Sequence, residues 1–455
     1  MLDRLFANKL FPAALQFSAL FVFIMLIGLG WGITTDDPAF AKILRNTNLA
    51  NLIVWSFWWP LIIAASVLFG RLWCTVCPME LIQFLLNRVG LKRPLPKFLR
   101  SGWIITLLYA LVLVVGIEMF SIHRIPHRMS LYMTGLFGLT ILVSLVYEKR
   151  GFCTGFCPVG HLLGLYSMNA GMELRVRDRA VCDACSDKPC VNKKRDYVWY
   201  GRACQSYLFP GSLRNNRDCI LCTQCIKACP HDNVTFRFRR PLADFAAKIR
   251  LSIPQIGFIF IVFAFAFSEV VTEWSRSASW YKTPYHALVG VLGLPSPWDA
   301  GAAGILMFVV TPFVVLTLVS WIQGVFGRSG GPFSTLAVYI ASFIPLIASV
   351  HFAKAVVKSV SRFQYIPGIL ADPAGVVTAR ALYSGALTLG GGWQGTLNII
   401  ARSSAIGIMA AGGVAAVYLL VRTARREGHG YPVAYVFLTV AYLFCTIGAL
   451  VGKMM

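Results

Sequence analysis

Cys219-Ile-Leu-Cys222-Thr-Gln-Cys225-Ile-Lys-Ala-Cys229-Pro230 is the most informative stretch of this chain. Two, two and three residues separate its four cysteines, and a proline closes it. That is the spacing of the bacterial ferredoxin run, in which three close thiolates cap one face of a [4Fe–4S] cubane and the fourth reaches a second cluster. A second thiol group is therefore required, and it lies just upstream as Cys182, Cys185, Cys190 and Cys204. The interleaved rule assigns Cys182, Cys185, Cys190 and Cys229 to one cluster. Cys204, Cys219, Cys222 and Cys225 go to the other. Paired Cys-x2-Cys groups also build zinc ribbons, but four cysteines in one tight run before a proline favour iron–sulfur. The upstream group is less regular, since Gln205 follows Cys204 where proline is usual.

Further out lies a repeat. Arg71-Leu-Trp-Cys74-Thr-Val-Cys77-Pro78 returns as Arg150-Gly-Phe-Cys153-Thr-Gly-Phe-Cys157-Pro158. Each copy follows the second apolar run of a hairpin and leads into a short amphipathic stretch. The first four runs thus read as two copies of one unit, related by a pseudo-two-fold axis along the membrane normal. Cys74, Cys77, Cys153 and Cys157 together supply the four thiolates that a third cubane or a structural zinc needs. A redox dithiol, a copper site and plain reduced thiols at helix ends are the other readings.

The frame around these motifs is apolar. Of 455 residues, 57% are hydrophobic and 13% charged, where a soluble domain devotes about a quarter to charge. Runs long enough to span, about 20 residues, fall near 10–33, 49–70, 102–121, 129–147, 252–274, 302–326, 333–353, 397–421 and 431–451. The expected fold class is a polytopic α-helical membrane protein of about nine spans, with an inserted two-cluster ferredoxin-like α+β domain. Its divisions are 1–170, a four-helix membrane domain with the duplicated motif; 171–245, the insert; and 246–455, a membrane domain of about five helices. Residues 283–295, broken by proline and glycine, read as re-entrant or interfacial. The first run lacks a small-residue cleavage site and a twin-arginine signal, so a retained helix is expected.

The net charge of +23 invites a nucleic-acid reading. No helix-turn-helix, zinc-finger or RNA-binding signature accompanies it. The basic residues instead flank apolar runs, as a topology signal does. With the N-terminus inside, 30 Lys and Arg fall in inside segments and 11 outside, with Arg402 in a span. Setting aside the long insert, the loop 71–100 alone supplies six of the 12 that remain inside. The expectation is a prokaryotic cytoplasmic (inner) membrane, N-terminus and insert cytoplasmic, C-terminus outside. Residues 175–250 carry 16 Lys and Arg against 7 Asp and Glu. That excess serves to neutralise anionic clusters, to meet anionic headgroups, or to attract an acidic redox partner.

Other cofactors leave little trace. No Cys-x-x-Cys-His occurs, which excludes c-type haem attachment, and there is no dinucleotide fingerprint or P-loop. Glu118 lies inside the third run, where a carboxylate is a functional candidate by default. It reads as a quinol proton acceptor or a snorkelling group. His351, with Lys354 one turn on, reads as a quinone or haem residue or as an interfacial anchor. Cys445 reads as a small buried hydrophobe. The catalytic residues, if any, are not readable.

The duplicated Cys-x(2–3)-Cys-Pro motif joined to the two-cluster run resembles the NapH/NosR family of membrane ferredoxin-like proteins, over roughly residues 50–240. The resemblance implies that the membrane part oxidises quinol and that the clusters pass electrons to a partner reductase. Cys74, Cys77, Cys153, Cys157 and the eight ferredoxin-type thiols match its motifs. Two departures stand out: the first edge motif has two intervening residues where the family commonly has three, and five helices follow the insert. The leading expectation is an electron-transfer protein linking membrane quinone to cytoplasmic-side [4Fe–4S] clusters. Its rival is an assembly, maturation or regulatory protein for a respiratory enzyme. A redox-driven transporter, resting on the broken 283–295 segment, is the third.

Overall fold

The chain starts with a strongly apolar helix because nothing in Ala13–Gly30 is charged. In a computed structural model of the protein, residues 6–327 and 331–454 are described. Arg4 and Arg328, two of the basic residues counted above, lie outside them. In chain order the main elements begin with α1 (Ala13–Gly30), the short α2 (Pro38–Thr47) and α3 (Leu49–Phe69). The first repeat copy then forms α4 (Leu72–Val76) and α5 (Pro78–Leu86). Next come α6 (Trp103–Met119) and α7 (Pro126–Val146), and the second copy as α8 (Gly151–Gly155) and α9 (Pro158–Tyr166). After the insert follow α10 (Ile253–Val271), α11 (Ser275–Gly290), α12 (Trp298–Val325), α13 (Pro332–Ala371), α14 (Gly392–Glu427) and α15 (Val433–Gly452).

Among the described residues eight helices are long and apolar enough to cross a membrane: α1, α3, α7, α10, α12, α13, α14 and α15. The expected third span is α6, a shorter apolar helix whose second half, Val112–Met119, is π-helical. The stretch around 283–295, expected to be re-entrant or interfacial, is partly helical. Its first part continues α11, a 16-residue helix that keeps Pro284 inside it. At about 1.5 Å per residue this is too short to span.

The insert is closed by two strands. β1 (Met172–Val176) and β2 (Val234–Phe238) pair antiparallel, with Met172 opposite Phe238 and Val176 opposite Val234. Leu174, Leu221 and Val234 bury between them, so the pairing brings the two ends of the insert together. Short helices Arg179–Ala184 and Gln224–Ala228 complete it.

The contacts divide the chain into two units. The first comprises residues 1–28, 64–105 and 130–247, and so holds both repeat copies and the insert. The second comprises 29–63, 106–129 and 248–455. At its centre is α10, opened by a Ser252–Gln255 capping box. Every residue from Phe258 to Ala266 is buried, as expected of a helix that is apolar on all sides. Nearby, α13 and α14 cross closely. A Cβ on Gly412 would overlap the Ser349 side chain and lie 3.0 Å from the Pro345 carbonyl oxygen, and one on Gly413 would overlap Leu443 of α15.

Candidate metal centre

The two copies of the repeat fold alike, for a local reason. Arg71 and Arg150 each stand at the N-cap of a one-turn helix, α4 and α8. The second cysteine of each pair, Cys77 or Cys157, caps the next helix, and the proline after it takes the first turn. There a missing N–H costs nothing. Cys157 Sγ accepts from the Gly160 N–H at 3.3 Å. Buried Gln83 steadies the other copy: its Nε2 donates to Cys153 Sγ at 3.0 Å while its Oε1 accepts from the Phe152 and Cys153 N–H groups. Cys77, Cys153 and Cys157 pack on one apolar cluster around Met79, Ile82, Val143 and Phe152. Burial, then the neighbouring Cys153, Cys74 and Cys157, pushes the Cys77 thiol well up. Burial, then Cys153, lifts Cys157 to about 12. The four edge thiols are thus brought together.

The eight insert thiols divide between two cavities. One is lined by Cys182, Cys185, Cys190 and Cys229. The other is lined by Cys204, Cys219, Cys222 and Cys225. These are the two sets read from the spacing. They line hollows instead of converging on a point: among the described residues no three Cys, His, Asp or Glu side chains close tightly enough for one metal ion. The loop around the second cavity holds two non-glycine residues in left-handed backbone, Leu221 (φ 61°) and Thr223 (φ 61°). Such strain persists where surrounding structure overrides it. It turns the Leu221 and Gln224 N–H groups onto Cys219 and Cys222. At the first cavity Asn233 does similar work, its Nδ2 on Cys182 Sγ at 3.3 Å and its backbone N–H on Cys229 Sγ at 3.4 Å.

Electrostatics tests whether these donors suit an anionic cluster. Burial lifts Cys219 to about 12 and Cys190 to about 11, so bare thiols stay protonated at neutral pH, and metal binding must release protons. Around them are cations in search of an anion. Arg71 is 7% exposed and Arg150 4%. Neither pairs with a carboxylate among the described residues, and the Nε of each is buried without a partner. Arg71 Nη2 lies 3.7 Å from Cys74 Sγ, and Arg150 is in electrostatic reach of Cys153, Cys74 and Cys222. A buried guanidinium left unpaired costs several kcal/mol, about 3–5 by analogy with broken ion pairs. A cubane with four thiolates carries net negative charge, and the residues fit it.

The edge thiols and the cavities adjoin. Thr75 Oγ1 donates to the Ile220 carbonyl, next to Cys219, and Arg71 Nη1 to the Arg217 carbonyl at 2.9 Å. Arg150 Nη1 reaches Ser206 Oγ at 2.8 Å, near Cys204. Buried Glu80, from the first copy, lines the second cavity and pairs with Arg202 at 2.7 Å. A Cβ on Gly164 would come within 2.7 Å of the Arg217 carbonyl oxygen, so α9 must be bare there. Pro210 lines both cavities, and the Cys204 N–H donates to the Cys190 carbonyl at 2.8 Å.

The remaining candidates lie in the second unit. Glu118 pairs with Lys282 at 3.5 Å and lies against Gly304. His351 is 2% exposed, its Nε2 3.3 Å from the Trp59 indole N–H and its ring against Phe265. Lys354 is buried as well, donating to the Glu269 carbonyl at 2.7 Å and pairing with Glu273. Neither His351 nor Lys354 is an exposed anchor. Cys445 is half-buried. Sequence reading missed Gln83, Glu80, Arg202 and Trp59. It quoted Arg71 and Arg150 without giving them work, although their equal offsets were the available signal.

The 4Fe-4S binding domain family matches residues 51–96 and 131–177. Those are the two repeat copies, each with its cysteine pair. The chain is 24% identical over 188 residues to the ferredoxin-type protein NapH of Haemophilus influenzae and 24% over 182 to that of Escherichia coli. Over this N-terminal part the chain is similar to the NapH ferredoxin-type proteins. These matches cover 38% and 37% of this chain, and 64% and 62% of the two NapH chains, so it spans a little under two thirds of their length. An uncharacterised protein of Methanocaldococcus jannaschii is 22% identical over 200 residues, 39% of this chain and 76% of its own. No solved structure matches.

Proposed function

We propose that this chain is a membrane-bound iron–sulfur electron-transfer protein. It exchanges electrons between the membrane quinone/quinol pool and [4Fe–4S] clusters in a ferredoxin-like insert, and passes them to a partner oxidoreductase. The observation that carries this reading is the file of three adjoining four-thiol sets. Cys74, Cys77, Cys153 and Cys157 stand first, and Arg150 lies in electrostatic reach of Cys74, Cys153 and Cys222. The second set reaches Cys190 of the third through the Cys204 N–H. Clusters held there supply one-electron steps at potentials raised by N–H donors and buried cations. The chain's own residues fix those donors: Gln83, Gly160, Leu221, Gln224 and Asn233 aim N–H groups at sulfur, while Arg71 and Arg150 offset negative charge.

Glu118 and His351 are the proposed groups for quinone and its protons. The proposed topology has nine spans, with α6 as the third, in the inner membrane of a prokaryote. The N-terminus and insert face the cytoplasm and the C-terminus faces outward.

The test uses purified protein, a soluble menaquinol analogue and dithionite. Iron and sulfide analysis should give about eight iron atoms or more per chain. A single Cys→Ser change in either repeat copy should stop quinol from reducing the insert centres while dithionite still reduces them. Stoichiometric zinc with little iron, or intact quinol-dependent reduction with all four edge cysteines replaced, would overturn the reading.

A further inference from the structure

The second unit contains a nest of buried hydrogen-bond donors and cations with no carboxylate paired to it among the described residues. It forms where α2, the first turns of α3, the turn between α6 and α7, and the later part of α13 carry their polar side chains. The π-helical turn Ile53–Trp58 packs on α13, pinned by Ser359 Oγ donating to the Ser56 carbonyl at 2.7 Å and by Phe57 stacked on Phe363 at 5.6 Å. π-Helical turns of this kind recur at functional sites. From this turn the Trp55 ring meets the Lys358 ammonium at 5.8 Å and the His123 ring at 6.2 Å.

The polar atoms there do not satisfy one another. Trp55 Nε1, Arg45 Nε and Arg362 Nε are buried without a partner, as are both polar atoms of the Asn51 amide. Asn51 is 1% exposed and one turn before Trp55. His123 Nε2 accepts from Arg124 Nε at 3.1 Å. A neutral imidazole with an acceptor at Nε2 carries its proton on Nδ1, and that atom also lacks a partner. Each such group is destabilising unless something bonds to it.

The charges are as one-sided as the hydrogen bonds. Arg45 is pulled down to about 10 by burial and then by the positive charges of Arg362 and Arg124. The carboxylates whose fields reach it, Glu273 and Glu269, are engaged by Lys354 and Lys453. Among the described residues, Arg45, Lys358 and Arg362 have no ion pair. Donors approaching from four separate elements suit a tetrahedral oxyanion, which offers an acceptor in every direction. A flat carboxylate presents two oxygens on one side. A hydroxyl on the same ligand would serve the free Asn51 Oδ1.

We infer that Arg45, Trp55, His123, Lys358 and Arg362 bind a phosphate-type oxyanion, either free or as the headgroup of an anionic lipid. Two guanidinium N–H groups, one ammonium and the indole and imidazole N–H groups meet its oxygens, and Asn51 meets its hydroxyl.

The test uses the full chain in a nonionic detergent and a phosphate-free buffer. Thermal unfolding and tryptophan emission are followed during titration with inorganic phosphate, short-chain phosphatidylglycerol and, as control, short-chain phosphatidylcholine. Saturable stabilisation is expected with at least one of the first two. Phosphate and phosphatidylglycerol together indicate a site for the free anion, and phosphatidylglycerol alone a lipid site. Arg45→Gln and Arg362→Gln should each weaken binding about tenfold or more, as loss of a charge-assisted bond does. Should those variants fail to fold, Trp55→Phe keeps an aromatic side chain while removing the indole donor, and should still weaken binding measurably. No saturable effect from either probe, equal response to phosphatidylcholine, or unchanged affinity in every folded variant overturns the site.

Discussion

Arg71 and Arg150 hold the same place in the two repeat copies, and each is buried without an ion pair among the described residues. Their partners are sulfur and carbonyl or hydroxyl oxygen. Removing such a charge destabilises the more negative, reduced state of a nearby anionic cluster more than the oxidised one, so its potential falls. Arg71→Gln and Arg150→Gln should each retain iron and shift the edge centre negative. Each ~1.4 kcal/mol of lost interaction corresponds to ~59 mV for one electron. EPR-monitored redox titration reads this directly; an unchanged or more positive potential in both variants would assign the arginines to packing alone. At this scale much was legible. The two cavity linings match the sets taken from spacing, because short spacings restrict which thiols can meet. The Glu80–Arg202 pair is 122 positions apart and His351–Trp59 292, and no local pattern announces contacts at such separations.

Among the elements, periodicity located the apolar helices well, since length and composition alone decide that a run of about 20 apolar residues is helical in a bilayer. It could not foresee the π-helical turns at Ile53–Trp58, Val112–Met119 and Leu306–Val310. Each inserts one residue's worth of slack through packing, which leaves no compositional mark. The crossing of α13 and α14 is a packing feature that sequence only hints at, in the pair Gly412-Gly413. Both positions are filled by neighbouring side chains. Gly412→Leu should therefore drive the two helices apart, destabilising the fold by about 1–3 kcal/mol or more. Gly407→Leu, on the same helix with open space around it, should be near neutral. Thermal unfolding in detergent compares the two, and equal midpoints would show that the crossing is loose.

For the whole molecule, topology is the first quantity to measure. Reporter fusions after Arg240 and at the C-terminus should fall on opposite sides of the membrane, and a shared side would break the nine-span count or the orientation. The division into units was not legible: basic loops and apolar runs mark where the chain turns, and say nothing of which segments then pack together. The two paired strands show this well. β1 and β2 are 62 positions apart at their first residues, yet Met172 faces Phe238. The same closure bears on how the protein is made. Chains fold from the N-terminus as they are synthesised. The edge set is complete once Cys157 has emerged. Neither insert set can close until later, the second cavity at Cys225 and the first only at Cys229, the last ligand, five residues before β2 begins. Translation thus imposes an order on maturation, with the membrane-edge thiols the earliest to become whole and the cavity that waits for Cys229 the latest.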